Sequence, residues 1–232
     1  MTLLEKSSYA SLFIQLITGL IDIWGLNIPI PESANIFRQL LWIELIVQII
    51  EFVFYIWLVV QFRRKTNKIN NLTIYRYYDW FITTPSMLLT LMAYLDTSQP
   101  TITTIWEFIQ KNFRVVMIVW ILNWMMLGFG LIGELGWMDA RISAVIGFVP
   151  FVLYYYIIYK TFIENKNVSS EQRNVFYYFL IVWSLYGVAA LLPYNAKNTM
   201  YNILDLFAKN FFGLFLVYIL YQKSKQVPLI QS

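Results

Sequence analysis

Two pairs of charged residues in this sequence lie where charge is costly. Arg76 and Asp79 are three residues apart, Asp205 and Lys209 four apart, each pair inside a stretch that is otherwise apolar and aromatic. An ionisable group at the centre of a bilayer costs about 2.5–3.5 kcal/mol on an insertion scale, so such groups are functional candidates by default. The four charges sum to zero, and if they meet in space each is paired. Lys209, among Phe207, Phe211, Phe212 and Phe215, would shed its proton if buried alone. Condensed with an aldehyde to an imine, it becomes a site whose charge depends on its carboxylate partners, here Asp79 and Asp205.

Four polar stripes, two of them containing these pairs, accompany this chemistry. Residues spaced 0, 4, 7 and 11 share one helix face, and Asn198, Asn202, Asp205 and Lys209 have that spacing. So do Ser11, Gln15, Thr18 and Asp22, and again Glu44, Gln48, Glu51 and Tyr55. Arg76, Asp79, Thr83 and Thr90 form a similar face. A single stripe of this kind is commonly interhelical hydrogen-bond glue. Four stripes, each with a carboxylate, predict instead a polar seam between the first, second, third and seventh spans that carries ions or relays protons. Asn123 and Ser184 are the main polar groups elsewhere.

The elements that must position these groups follow from composition. The 232 residues are 59% apolar, 19% aromatic and 13% charged, with mean hydropathy +0.58, which is the profile of an integral membrane protein. A span takes about 20 residues, and residues 115–133, 142–159 and 174–196 contain no charge. Seven helices are predicted, at 9–26, 36–62, 74–95, 113–134, 141–162, 173–193 and 199–221, making one all-α domain over 1–232. Pro29 and Pro31 break the chain before the second span, Pro100 falls after the third and Pro193 ends the sixth. Pro85 and Pro150 lie within spans, where neighbouring helices absorb a kink.

The absence of Cys and His excludes disulfides, thiolate chemistry and the usual zinc sites, and no enzyme or metal centre is expected. The net charge of +4 is scattered, so no nucleic-acid partner is expected. Arg63, Arg64, Lys65 and Lys68 are read as a headgroup anchor. Glu5 and Lys6 precede an uninterrupted apolar stretch, so the first span serves as its own insertion signal. Seven basic residues on one side against eight on the other leave the positive-inside rule silent. The glycines of residues 128–133 match G-x-G-x-x-G within an uncharged span, where helix packing is the better account than dinucleotide binding. The sequons at Asn71 and Asn167 are read as chance. A solute transporter without chromophore would be expected to carry internal repeats, and none is evident.

The string Arg76-Tyr77-Tyr78-Asp79-Trp80-Phe81-Ile82-Thr83-Thr84-Pro85, the string Trp183-Ser184-Leu185-Tyr186 and the string Asp205-Leu206-Phe207-Ala208-Lys209 resemble the third, sixth and seventh helices of the microbial (type 1) rhodopsins. The resemblance implies a seven-transmembrane-helix bundle with all-trans retinal covalently held on Lys209 as a protonated Schiff base. It makes Asp79 the proton acceptor and first counterion, Asp205 the second, Arg76 and Thr83 members of the counterion cluster, and Trp80, Thr84, Met87, Trp183, Tyr186 and Ala208 the retinal pocket. Met87 and Ala208 favour green or blue-green absorption. The position of Arg76 puts the N-terminus outside and the C-terminus in the cytoplasm.

Departures from the pumps of that family are equally informative. Thr90 stands where they keep a carboxylate proton donor, and residues 183–204 contain no acid. Glu44, Gln48 and Glu51 resemble the second helix of channelrhodopsins, while Ser11, Glu44, Glu51 and Asn210 together resemble the first group of giant-virus rhodopsins, regarded as light-gated cation channels with calcium among the permeant ions. Thr84, with Asn123, occupies the place of the channelrhodopsin gate pair. The expectation is a light-gated cation channel with Ser11, Glu44, Gln48, Glu51, Asn202 and Asn210 along its path; an outward proton pump and a photosensor are the alternatives. Expected partners are the lipid membrane and cations (H+, Na+ and Ca2+), with homo-oligomer formation left open.

Overall fold

A computed structural model describes residues 1–97, 104–164 and 166–225; Pro100 lies outside them. Its seven long helices are α1 (Leu3–Leu26), α2 (Asn35–Arg64), α3 (Leu72–Asp96), α4 (Ile105–Glu134), α5 (Ala140–Phe162), α6 (Ser170–Ala190) and α7 (Tyr194–Ser224). There is no strand among the described residues. Consecutive helices pack side by side, and α7 returns against α1, α2 and α6 to close the bundle. α3 runs through the middle, touching α2, α4, α5 and α6, and is buried on all sides from Met87 to Asp96. The bundle is turned inside out relative to a water-soluble one: Phe13, Trp42, Phe81, Trp106 and Val145 face outward, where lipid would cover them. α1, α2, α4, α5 and α7 are long and apolar enough to cross a bilayer by composition alone. α3 and α6 are diluted by Arg76 and Asp79 in one and by Glu171 and Arg173 in the other.

Capping explains where the helices depart from the expected bounds. Thr2 accepts from the Glu5 backbone N–H and starts α1 at Leu3, six residues early. Thr104 and Glu107 form a reciprocal capping box that starts α4 at Ile105, ahead of the charges that suggested a start at 113. Just before that expected start the backbone is non-helical, at Asn112 (φ −112°, ψ 18°). Ser169 and Gln172 form a second box at the head of α6. Pro193 does not end α6, which stops at Ala190; it opens α7, which begins at Tyr194 rather than 199. Proline lacks only an N–H that the first turn would leave free anyway.

Two irregularities sit close to the ionisable groups. Pro85 cannot donate to the carbonyl of Phe81 four residues earlier. The indole N–H of Trp124 on α4 fills that carbonyl at 3.0 Å, and Trp120 donates to the Pro85 carbonyl at 2.8 Å. In α7, residues Leu206–Asn210 form a wider π turn, with Lys209 inside it. The Phe207 carbonyl in that turn accepts the Tyr178 hydroxyl at 2.9 Å, so side chains from neighbouring helices satisfy both breaks.

Candidate functional site

The two charged pairs of the sequence converge in the centre of the bundle. Lys209, 4% exposed, has its Nζ 2.5 Å from Asp79 Oδ2 and 4.0 Å from Asp205 Oδ1. The Arg76 guanidinium bonds Asp205 Oδ2 through Nη1 at 2.9 Å, donates from Nε to Asn198 Oδ1 at 3.2 Å, and reaches Asn202 Oδ1 through Nη2. Its planar face lies near the rings of Phe54, Tyr55 and Tyr201. Tyr55 and Tyr186 donate to Asp205, each at 2.8 Å. Asp205 is therefore held by Arg76 and two phenols, and Asp79 by the lysine.

A third acid enters the cluster. Glu51 Oε1 lies 3.6 Å from Lys209 Nζ, nearer than Asp205, and Glu51 is fully buried. The sequence pattern put Glu51 on an ion path and left the four-charge cluster neutral. With Glu51 included, two cations face three carboxyls. The signal for this was present in the stripe, since Glu51 and Tyr55 are one turn apart and Tyr55 bonds Asp205. Pairing across α2 and α7, however, is not readable from one chain. Thr83 also differs in detail: its hydroxyl donates to the backbone carbonyl of Asp79 at 3.0 Å and not to the carboxyl. Asp79 Oδ1 has no hydrogen-bond partner among the described residues.

Lys209 also lines a largely apolar cavity. Trp80, Thr84, Met87, Trp183, Tyr186 and Ala208 all line it, as the motif predicts, and α4 and α5 add Met126, Gly130, Gly147 and Phe148. These α4 and α5 residues were not singled out, because apolar spans offer no motif to distinguish a wall from core. A Cβ at Gly130 would run into the Tyr77 hydroxyl, and one at Gly187 into the Phe148 ring, so both glycines keep the walls closely packed without intruding. Asn123 donates to Thr84 Oγ1 at 2.7 Å, joining α4 to α3 at the cavity wall. An apolar aldehyde fits this lining: an amine for condensation with carboxyls beside it, and the aromatic rings of Trp80, Trp183, Tyr186 and Phe148 in the walls.

The polar stripes do form one seam among α1, α2, α3 and α7. Every member of the four stripes is buried. At the end nearer the N-terminus, Asn202 donates to Ser7 and Ser8 at 2.8 and 3.0 Å, while Ser11 donates to the Asn202 carbonyl at 3.1 Å. At the opposite end, Gln48 donates to Thr18 Oγ1 at 2.5 Å and to the Gln15 carbonyl at 3.0 Å. Asn210 donates to the same threonine at 2.7 Å, and Thr90 to Glu44. The Lys209 cluster separates the two halves. Ser184 takes no part; it bonds the Leu180 carbonyl of its own helix.

Comparison with known proteins agrees with this geometry. The family model described as bacteriorhodopsin-like protein matches residues 4–223. The crystal structure of viral rhodopsin OLPVRII is similar over 95% of this chain and 99% of that one, with a TM-score of 0.83 and 27% identity. Among curated relatives, bacteriorhodopsin of Halobacterium salinarum is 27% identical over 158 residues. The opsin-like protein carO of Fusarium fujikuroi is 26% identical over 180 residues. These alignments take in 55% and 53% of the relatives' own lengths, so the chain spans about half of each.

Proposed function

The chain belongs to the bacteriorhodopsin-like family, and from that premise we propose that it is a light-gated cation channel carrying all-trans retinal on Lys209, with its N-terminus outside the cell. The fold is that of an integral membrane protein, and family membership implies retinal on a lysine. Bound retinal supplies light absorption and a bond rotation that moves the atom to which it is attached.

The remaining work falls to side chains. In the dark, Asp79 at 2.5 Å is the first carboxyl to hold the proton-bearing Lys209 nitrogen, with Glu51 and Asp205 behind it. Displacing that nitrogen transfers its proton to Asp79. Loss of the central cation frees Glu51 and alters the field on Asp205, whose hold on Arg76 is shared with Asn198 and Asn202. Asn202 bridges to α1 through Ser7, Ser8 and Ser11, so rearrangement there loosens the outer half of the seam. Water entering past Glu51, Gln48 and Glu44 then meets carboxyl and amide oxygens that favour cations.

The observation that carries this reading is the buried seam running along four helices with two glutamates of α2 inside it. The test is a voltage clamp under illumination with proton, sodium and calcium gradients varied separately. Photocurrents that reverse sign with the cation gradient are expected; a current of one sign at every voltage rejects the channel. That second result would favour an outward proton pump, a reading supported by the Glu44–Thr90 bond, which sets an acid on the inner side of Lys209.

A further inference from the structure

The inner half of the seam holds two carboxyls that nothing neutralises. Asp22 is 1% exposed, and neither of its oxygens has a hydrogen-bond partner among the described residues. Glu44 is 2% exposed; Thr90 donates to one oxygen and the other is bare. No ion pair among the described residues reaches either acid. Helix direction places them in one layer. α1 and α7 run inward and α2 outward, and Thr18, Gln48 and Asn210 are joined by hydrogen bonds. One turn further inward come Asp22, Glu44 and Gly213. A Cβ on Gly213 would sit 2.5 Å from Asp22 Oδ2, so this glycine leaves bare backbone beside the carboxyl. Asn210, 3% exposed in the adjoining layer, also has its Oδ1 unpartnered.

Two carboxylates buried in one layer, with no cation paired to either, resist being ionised together. A protonated carboxyl, in contrast, supplies a donor that an orphaned oxygen in the same layer can accept. We propose that Asp22 and Glu44 share one exchangeable proton, and that this pair is the inner store from which the Lys209 nitrogen is recharged after its own proton has passed to Asp79. Glu44 is seven residues from Glu51, about 10 Å along the axis, and Glu51 adjoins the lysine nitrogen. Between them lie the Thr18 hydroxyl and the Gln48 and Asn210 amides, which can order a short file of water. In the transfer a carboxyl O–H breaks and an N–H forms at Lys209, leaving the pair with one more negative charge. A hydronium from the inner solution then restores the O–H and leaves water. The transfer rests on the reading of Lys209 given above; the store itself does not.

Infrared spectra of the full chain without chromophore test the store directly. The expected result is a carboxylic C=O stretch that shifts in D2O and is lost or displaced in Asp22→Asn and in Glu44→Gln alike, because the proton is shared. An unchanged band in Asp22→Asn overturns the proposal, as does a band that emerges only when sodium and calcium are removed, which would make the occupant a metal cation. In the pigment, Asp22→Asn should slow recovery of the nitrogen's proton by about a hundredfold, and a small membrane-permeant weak acid should restore it. Should either variant fail to fold, the wild type still decides: a band that bleaches and returns in step with that recovery supports the store, and one indifferent to light rejects it. A chain that binds no retinal would defeat the reading of Lys209 while leaving the infrared result intact.

Discussion

Lys209 is hemmed in by carboxyls at 2.5, 3.6 and 4.0 Å, and the differences among those distances set what each acid does. A cation attached to a polyene is stabilised in the dark by acid near the nitrogen and less so when light moves positive charge away from it. Neutralising an acid there therefore shifts absorption to longer wavelength. Asp79→Asn is expected to give the largest red shift, Glu51→Gln a smaller one, read from absorption spectra of the reconstituted variants. Lys209→Ala should abolish the visible band on addition of all-trans retinal; a band that persists removes the attachment site. The types of Arg76, Asp79, Asp205 and Lys209 and their spacing made this cluster legible before any fold was known. Glu51 was legible only as a polar residue on an inward face, since its partner lies 158 residues away on another helix.

At the scale of single helices, the local backbone departs from a regular spiral where the chemistry is densest. α3 is opened by Pro85, and α7 is widened around Lys209. The indole of Trp124 holds the carbonyl that Pro85 strands. Trp124→Phe keeps an aromatic side chain but loses the indole N–H and that bond, so it should lower stability by about 1 kcal/mol, measured as earlier thermal loss of the visible band. A proline in a sequence announces such a break, but nothing in Leu206–Asn210 announces a π turn, because the extra residue is set by how α7 packs on α1, α2 and α6. Helix ends divide the same way. Uncharged runs located α4, α5 and α6, whereas the start of α4 depended on a capping box eight residues upstream of the apolar stretch. Pro193 was visible as a boundary, but which helix it belonged to was not.

Taken whole, the bundle places polar and ionisable groups on one side, among α1, α2, α3 and α7, and apolar walls on the other. If the seam conducts, Gln48→Leu should cut photocurrent severely while leaving the absorption maximum nearly unmoved, since Gln48 bonds Thr18 and Gln15 and does not line the cavity. Voltage clamp and absorption on the same variant check both halves of that statement. This asymmetry was partly readable: four stripes at helical spacing named the four helices, but only closure of α7 onto α1 and α2 makes them neighbours.

Lys209 is where the cavity meets the seam, and away from it the two are lined by different residues. If the seam conducts, colour and permeation are thereby left as nearly independent traits. Replacing Met87, Met126 or Gly130 can retune the wavelength to which the molecule answers without rewriting what passes through it, and changes among Ser11, Gln48 and Glu44 can do the reverse. A lineage, or an engineer, can alter one property at a time.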